Sequence, residues 1–352
     1  MKIDTFSAAT DWTELSEQAR RAEAMGFDGF AVPEITGDPF IHASMAARAT
    51  ESILLRTAIA LAFPRSPMVV ANQAWSIHVN SGGRFALGLG TQIKAHNERR
   101  FSVPWKAPIA RMTEYVEALR AVWRCWELGE RLDYRGKHYQ LTLMTPEFSP
   151  PPSKLPMVPV YLAAVRPKML EAASAIADGL RLHAFCTRRY LSEVVTPAIE
   201  RGLQAAGRER SALEVCGGGF IMTGADEATV AKNREWARYR VAFYGSTPGY
   251  LPVMSLHGWD ELAAKLHGMS RKGQWEQMAA EVPDEVLHEF AVCATHDELP
   301  KAIEARFAGL SDCVEIDFGS ETRPERAAEI LSEIRGIDSA FKAHEDRYAR
   351  AV

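Results

Sequence analysis

A chain of 352 residues, 47% hydrophobic and 24% charged, has the composition of an ordinary globular protein and ample material for a full core. With 41 Lys and Arg against 45 Asp and Glu the net charge is −4, which argues against a nucleic-acid surface. Five scattered cysteines, none in CxxC spacing, speak against a zinc site and a disulfide framework and point to thiols in a reducing cytoplasm.

The chain begins with a strand pattern, Lys2 to Phe6, so neither a secretory leader nor a membrane anchor is expected. Thr10-Asp11 caps an amphipathic helix carrying Leu15, Ala19, Ala22 and Met25, which Gly26 ends. Phe27 to Val32 is a second strand. Strand, helix and strand within 32 residues predict a parallel sheet, closed or doubly wound. Glu34 stands just past the second strand, either as a site carboxylate or as a cap for the helix around Ala43–Thr50.

The stretch from Leu54 to Phe101 is one βαβ unit. Leu54 to Ala60 is a strand, Ser66-Pro67 starts a helix that Gly82-Gly83 stops, and Phe85 to Leu89 is the next strand. Its strands are apolar enough to read as buried on both faces. Gly90-Thr91-Gln92 follows, where small residues let backbone amides approach a ligand. His96, Asn97, Arg99 and Arg100 come next, facing either the pocket or solvent.

Arg111 to Trp126 is a strong helix whose aromatic stripe belongs to the core or to a subunit interface. Residues 131–156 break the pattern, with a hairpin at Tyr134–Tyr139 and a rigid Pro150-Pro151-Pro152. Val158 to Ala163 is strand five, and Ala164-Val165-Arg166-Pro167 leads into a helix whose amino end suits an anion. Gly179 to Ala184 is strand six. Its His183 reads as a hydrogen-bonded core residue or as a cofactor contact. Leu213 to Thr223 is strand seven, in which Gly217-Gly218-Gly219 suggests close backbone approach. Residues 244–290 form a lid-like insertion, Val314 to Phe318 is strand eight, and Pro324–Arg335 is the closing helix. The polar tail after Gly336 is expected to pack on the surface or fray.

The segments GFDGFAVPE (26–34), RTAIA (56–60), SGGRFALGLGTQ (81–92), VPVYLAAVRPK (158–168) and ADGLRLHAFCT (177–187), in this order, resemble the bacterial-luciferase-like superfamily. The chain looks closest to its members that use the deazaflavin coenzyme F420. The resemblance implies a single (β/α)8 TIM-barrel domain over 1–352, with insertions at about 131–156 and 244–290 covering the barrel mouth. It also implies a non-proline cis peptide at Ala58–Ile59 behind the cofactor ring. Gly90, Thr91 and Gln92 would meet the ring. Ala164, Val165 and Arg166 would meet the phosphate, with Val165-Arg166 in place of the usual Gly-Gly. His183 would be a further cofactor contact. The family's acid past strand two is Glu34, but Ile35 replaces the histidine that usually follows it, and Ile93 replaces an acid near the GLGTQ loop. Glu34 and His96 are left as the candidate proton donors.

The expected activity is hydride transfer between F420 and a small organic substrate, with the ring supplying the chemistry. A reduced-FMN monooxygenase and a non-catalytic flavin-binding barrel are the alternatives. A metal-dependent barrel hydrolase is disfavoured, because the ten histidines show no HxH or HxxxH pair. A homodimer is expected through Pro67–Asn80 and Arg111–Trp126, motivated by Trp75, Trp123 and Trp126.

Overall fold

The computed structural model describes residues 1–348. Eight parallel strands form a closed ring. They are β1 (Lys2–Phe6), β2 (Gly29–Val32), β3 (Leu54–Thr57), β4 (Phe85–Gly90), β5 (Val160–Ala164), β6 (Gly179–Leu182), β7 (Glu214–Gly217) and β8 (Cys313–Glu315). Each pairs with the next, and β8 returns to β1 with Ile3 opposite Val314. This is the expected (β/α)8 barrel. Local helix signals act as read: Asp11 accepts a hydrogen bond from the Glu14 amide at 2.9 Å and Ser66 accepts one from Val69 at 3.3 Å, each serving a first-turn donor that lacks a helical partner. Among the described residues no helix is long and apolar enough to cross a membrane.

Three expectations need correction. The run 213–223 is two strands, because Gly217 and Gly218 take φ of 86° and 104° and turn the chain out of the ring. Phe220–Gly224 then pairs in parallel with Ala291–Thr295, a strand outside the barrel. The helix after β2 starts at Pro39 and is capped by Asp38, whose carboxylate accepts from the Phe40 amide at 2.8 Å, so Glu34 is not its cap. Trp75, Trp123 and Trp126 are buried within the chain's own core, where Trp75 and Trp126 pack edge to face at 5.5 Å. They therefore supply no surplus surface for a dimer.

The described tail after Gly336 packs, one of its two expected fates, and closes the amino-terminal end of the barrel. Asp312 Oδ1 accepts from Ser339 Oγ and the Phe341 amide, both at 2.9 Å. His344 Nε2 lies 3.1 Å from the Tyr161 hydroxyl, and Arg347 pairs with Asp178 at 2.7 Å. The polar composition left packing and fraying both open, because a sequence does not show that these groups have buried partners in Asp312, Tyr161 and Asp178.

One of those partners, Tyr161, donates to Glu214 and so joins an ionic barrel interior. Strand alternation turns Lys2, Asp4, Arg56, Arg181, Glu214 and Glu315 inward. Arg56 stands 3.1 Å from both Asp4 and Glu214, Arg181 3.1 Å from Asp4, and Lys2 2.9 Å from Glu214. Arg181 also pairs with Glu315. Three cations meet three anions, so the enclosed charge is balanced. Gly29 and Gly179 make the room: a Cβ there would stand 2.3 Å from Asp4 Oδ1 and 2.1 Å from the Tyr161 ring. Burial alone would raise the Glu214 pKa, but Arg56, Lys2 and the Tyr161 hydroxyl bring it down to about 2.

Residues 131–156 run along the Pro108–Leu128 helix. The His138 amide donates to Glu114 at 2.6 Å, and Arg111 donates to the Tyr139 hydroxyl at 2.8 Å. The second insertion reaches the carboxyl end of β6, where Tyr244 and Tyr250 pack against His183.

Candidate active site

The carboxyl ends of parallel barrel strands are where loops converge and side chains are free to meet a ligand. Here β3 ends in a backbone ledge. The Ala58–Ile59 peptide is cis, as the resemblance implied, and the chain rejoins the sheet at Ala60–Leu61, which pairs with Leu89 and Gly90. The Thr57 hydroxyl donates to the Gly88 carbonyl at 2.7 Å and accepts from the Gly88 amide at 2.9 Å, standing in for backbone pairing beside the bend.

Glu34 holds the same ledge from the β2 side. Its amide donates to Ile59 O at 3.3 Å, and its carboxylate accepts from the Leu61 amide at 2.7 Å. Arg65 donates to both Glu34 oxygens, at 2.8 and 3.0 Å, and to Asp38 at 3.0 Å. Burial opposes the charge of Arg65, but these two carboxylates raise its pKa. Ile59 extends its side chain towards β4, with Cδ1 2.6 Å from where a Cβ on Gly90 would stand. Only glycine leaves that space.

The loop after β4 takes a left-handed turn at Gln92, φ 58°. Asn97 fixes it by donating to the Thr91 and Ile93 carbonyls at 2.8 and 3.1 Å. Asn97 is buried, whereas His96 beside it is exposed on the Lys94–Arg99 helix. The sequence placed both in one loop. Their separation follows from helix rotation, which turns neighbours about 100° apart.

Ala164, Val165 and His183 come together with Phe185 and Tyr190 around a water-sized cavity of about 10 Å³. Arg166 precedes the Pro167–Ile176 helix, which has no side-chain cap, so its amino end is open to a polar ligand. His183 Nδ1 accepts from the Phe185 amide at 2.9 Å, which puts the proton of the neutral ring on Nε2. Burial, and then the nearby Arg240 charge, bring its pKa down to about 4, so the ring is neutral at neutral pH. Arg240 itself donates to the Tyr244 hydroxyl at 2.6 Å and lies over that ring.

The interior ion network reaches the same end. Glu315 is two residues up β8 from Cys313, which is level with Cys216, and it is paired with Arg181, two residues before His183. Its side chain is 34% exposed, against 8% for Arg181. The alternation Val314-Glu315-Ile316 was the available signal for an inward carboxylate; Arg65 and Glu315 went without a role, and Asn97 was left between pocket and solvent. A larger cleft of about 240 Å³ lies elsewhere, between the Trp12–Met25 helix and residues 317–320. It is lined from the outer side by Gln18, Arg21 and Met25 and includes none of the expected site residues.

A family model described as luciferase-like monooxygenase matches residues 3–312. An uncharacterised protein of Mycobacterium tuberculosis is 44% identical over 314 residues, covering 89% of this chain and 92% of its own. The 5,10-methylenetetrahydromethanopterin reductase of Archaeoglobus fulgidus is 29% identical, covering 90% and 92%. Among solved structures, the coenzyme F420-dependent tetrahydromethanopterin reductase of Methanopyrus kandleri superposes with a TM-score of 0.76 at 21% identity, covering 95% and 98%.

Proposed function

We propose, for a chain that belongs to the luciferase-like monooxygenase family, hydride transfer between coenzyme F420 and a small organic substrate at the carboxyl end of the barrel. Membership carries the coarse statement, a coenzyme-dependent oxidoreductase or monooxygenase. The observation that supports the finer reading is the Ala58–Ile59 ledge. Glu34 holds it from the β2 side, and Thr57, at the end of β3 itself, ties it to Gly88 of glycine-lined β4. A backbone surface tied down by hydrogen bonds in this way suits the face of a fused aromatic ring.

The deazaflavin, when bound, supplies the carbon that accepts or gives the hydride. The chain's own groups orient it and keep water out. Arg166 and the open helix start behind it would take the phosphate, and neutral His183 offers its Nε2 proton as a donor. Tyr244 and Tyr250 shield that side. Glu34, with both oxygens engaged by Arg65, acts in this reading as an anchor for the ledge rather than a proton donor. His96, exposed on its short helix, is a rim residue. The homodimer stays in the proposal on other ground, the exposed Val69 and Val79 of the Pro67–Asn80 helix, and light scattering at micromolar protein tests it.

A reduced-FMN monooxygenase is the second reading, favoured by the description of the family model itself. Absorption and mass spectra of whatever small molecule purifies with the protein, followed by titration with F420 and with FMN, separate the two. Tighter binding of F420, lost in Ile59→Asp, is the expected result. Preference for FMN, or undiminished F420 affinity in Ile59→Asp, overturns the assignment.

A further inference from the structure

Two large aliphatic side chains stand in solvent on loops at the carboxyl face. Ile35, three residues past β2, is 58% exposed, and Ile93, three residues past β4, is 50% exposed. Phe6, ending β1 and also bordering the outer cleft, is 44% exposed. Ile35 and Ile93 thus follow strand ends at the carboxyl face, where barrel folds carry the loops that meet a ligand. The Ile35 and Ile93 loops also adjoin the ledge: Glu34 and Gln92 precede them, and both loops are tied down by the hydrogen bonds already described.

The floor below this rim is polar at one point. Glu315 faces the barrel interior, and the far end of that interior is closed by the tail through Asp312, Tyr161 and His344. Its 34% exposure is therefore exposure to the mouth. Glu315 Oε2 is held by Arg181, and Oε1 has no hydrogen-bond partner among the described residues. Arg181 is itself held by Asp4, which Arg56 holds in turn, so the carboxylate is fixed from behind. A carboxylate with one engaged and one open oxygen accepts a hydrogen bond and repels an anion.

We infer that the mouth takes an uncharged, largely apolar molecule bearing one hydroxyl or N–H group, which Glu315 Oε1 receives while Ile35 and Ile93 cover the apolar body. The inference deepens the proposed function and rests on its placement of the site at the carboxyl end of the barrel. It makes Glu315 the group that fixes which end of the substrate points inward.

Calorimetric titration of the full chain, with and without saturating F420, by three probes tests it. The probes are 1-naphthol, 1-methoxynaphthalene and 1-naphthyl phosphate. Naphthol is expected to bind about tenfold tighter than its methyl ether, the size of a hydrogen bond to a charged acceptor. The phosphate ester is expected to bind no better than the ether. Glu315→Gln, which keeps an acceptor for Arg181, should shrink the naphthol preference and leave the ether unchanged. Ile35→Asp and Ile93→Asp should weaken both neutral probes about tenfold, with circular dichroism confirming the fold. Equal binding of naphthol and ether, an unchanged preference in Glu315→Gln, or tightest binding of the phosphate ester overturns the inference. So does displacement of naphthol by F420, which would place it in the ring's own slot. If F420 fails to bind at all, the cofactor reading fails, and the titrations without it still decide this one.

Discussion

His344 and Tyr161 meet inside the barrel, 3.1 Å apart and 183 residues apart in sequence. Tyr161 in turn donates to Glu214, which Arg56 and Lys2 also hold, so the tail is wired to the ionic interior. His344→Ala is expected to cost about 1–3 kcal/mol, because it leaves buried polar groups short of a partner. Ending the chain at Ile337 should cost more and open the lower end of the barrel to solvent. Urea unfolding followed by tryptophan fluorescence measures both, and a truncated chain of undiminished stability would show the tail to be dispensable.

The same interior sets an acid limit on stability. Glu214 has a folded pKa of about 2 against an ordinary value of 4.5. A depressed carboxylate contributes stability that is fully present above the unfolded value and is lost as pH falls through the folded one. The window is therefore from about pH 4.5 down to about 2, and the contribution is on the order of 3 kcal/mol. Glu214→Gln should lower stability at neutral pH and flatten that part of the stability–pH curve. A Gln variant with the wild-type acid transition would exclude Glu214 as its source.

Gly90→Ala would put a methyl carbon 2.6 Å from Ile59 Cδ1, well inside contact distance. Overpacking of this kind costs about 1–3 kcal/mol and moves the neighbour that can yield, here the Ile59 side chain. Weaker F420 binding together with a modest drop in melting temperature is expected. If stability falls while F420 affinity stays at the wild-type value, the ledge is not the ring's seat.

Glu34 and Arg65 should act as a unit. With Arg65 donating to both Glu34 oxygens, Glu34→Ala, Arg65→Ala and the double variant should each weaken F420 binding to a similar degree. Strong non-additivity, with a coupling of about 0.5–3 kcal/mol, is the signature of one connected group. Simple additivity would mean that the two residues serve the site separately.

Arg166→Ala should lower F420 affinity and reduce its dependence on salt, since a phosphate contact at a helix start is electrostatic and is screened by ions. A variant with unaltered salt dependence would place the phosphate elsewhere.

Local rules made much of the barrel legible. Apolar strand runs, the caps at Asp11 and Ser66, and the glycine stops depend on near neighbours, so their positions could be read directly. Order and spacing of five short segments then carried the family, the closed ring and the Ala58–Ile59 ledge. What the linear pattern hid was partnership. Arg56 and Arg181 are lone charges within apolar strand runs, and only the closed ring brings Asp4, Glu214 and Glu315 to face them. Glu34 read as a site carboxylate or a cap, and the linear pattern did not show that Arg65, 31 positions away, would hold both its oxygens. Strand type and helix ends follow from interactions a few residues long. The charge state and task of a buried side chain follow from what the barrel's closure sets within about 3 Å of it, the range over which hydrogen bonds and ion pairs decide energies.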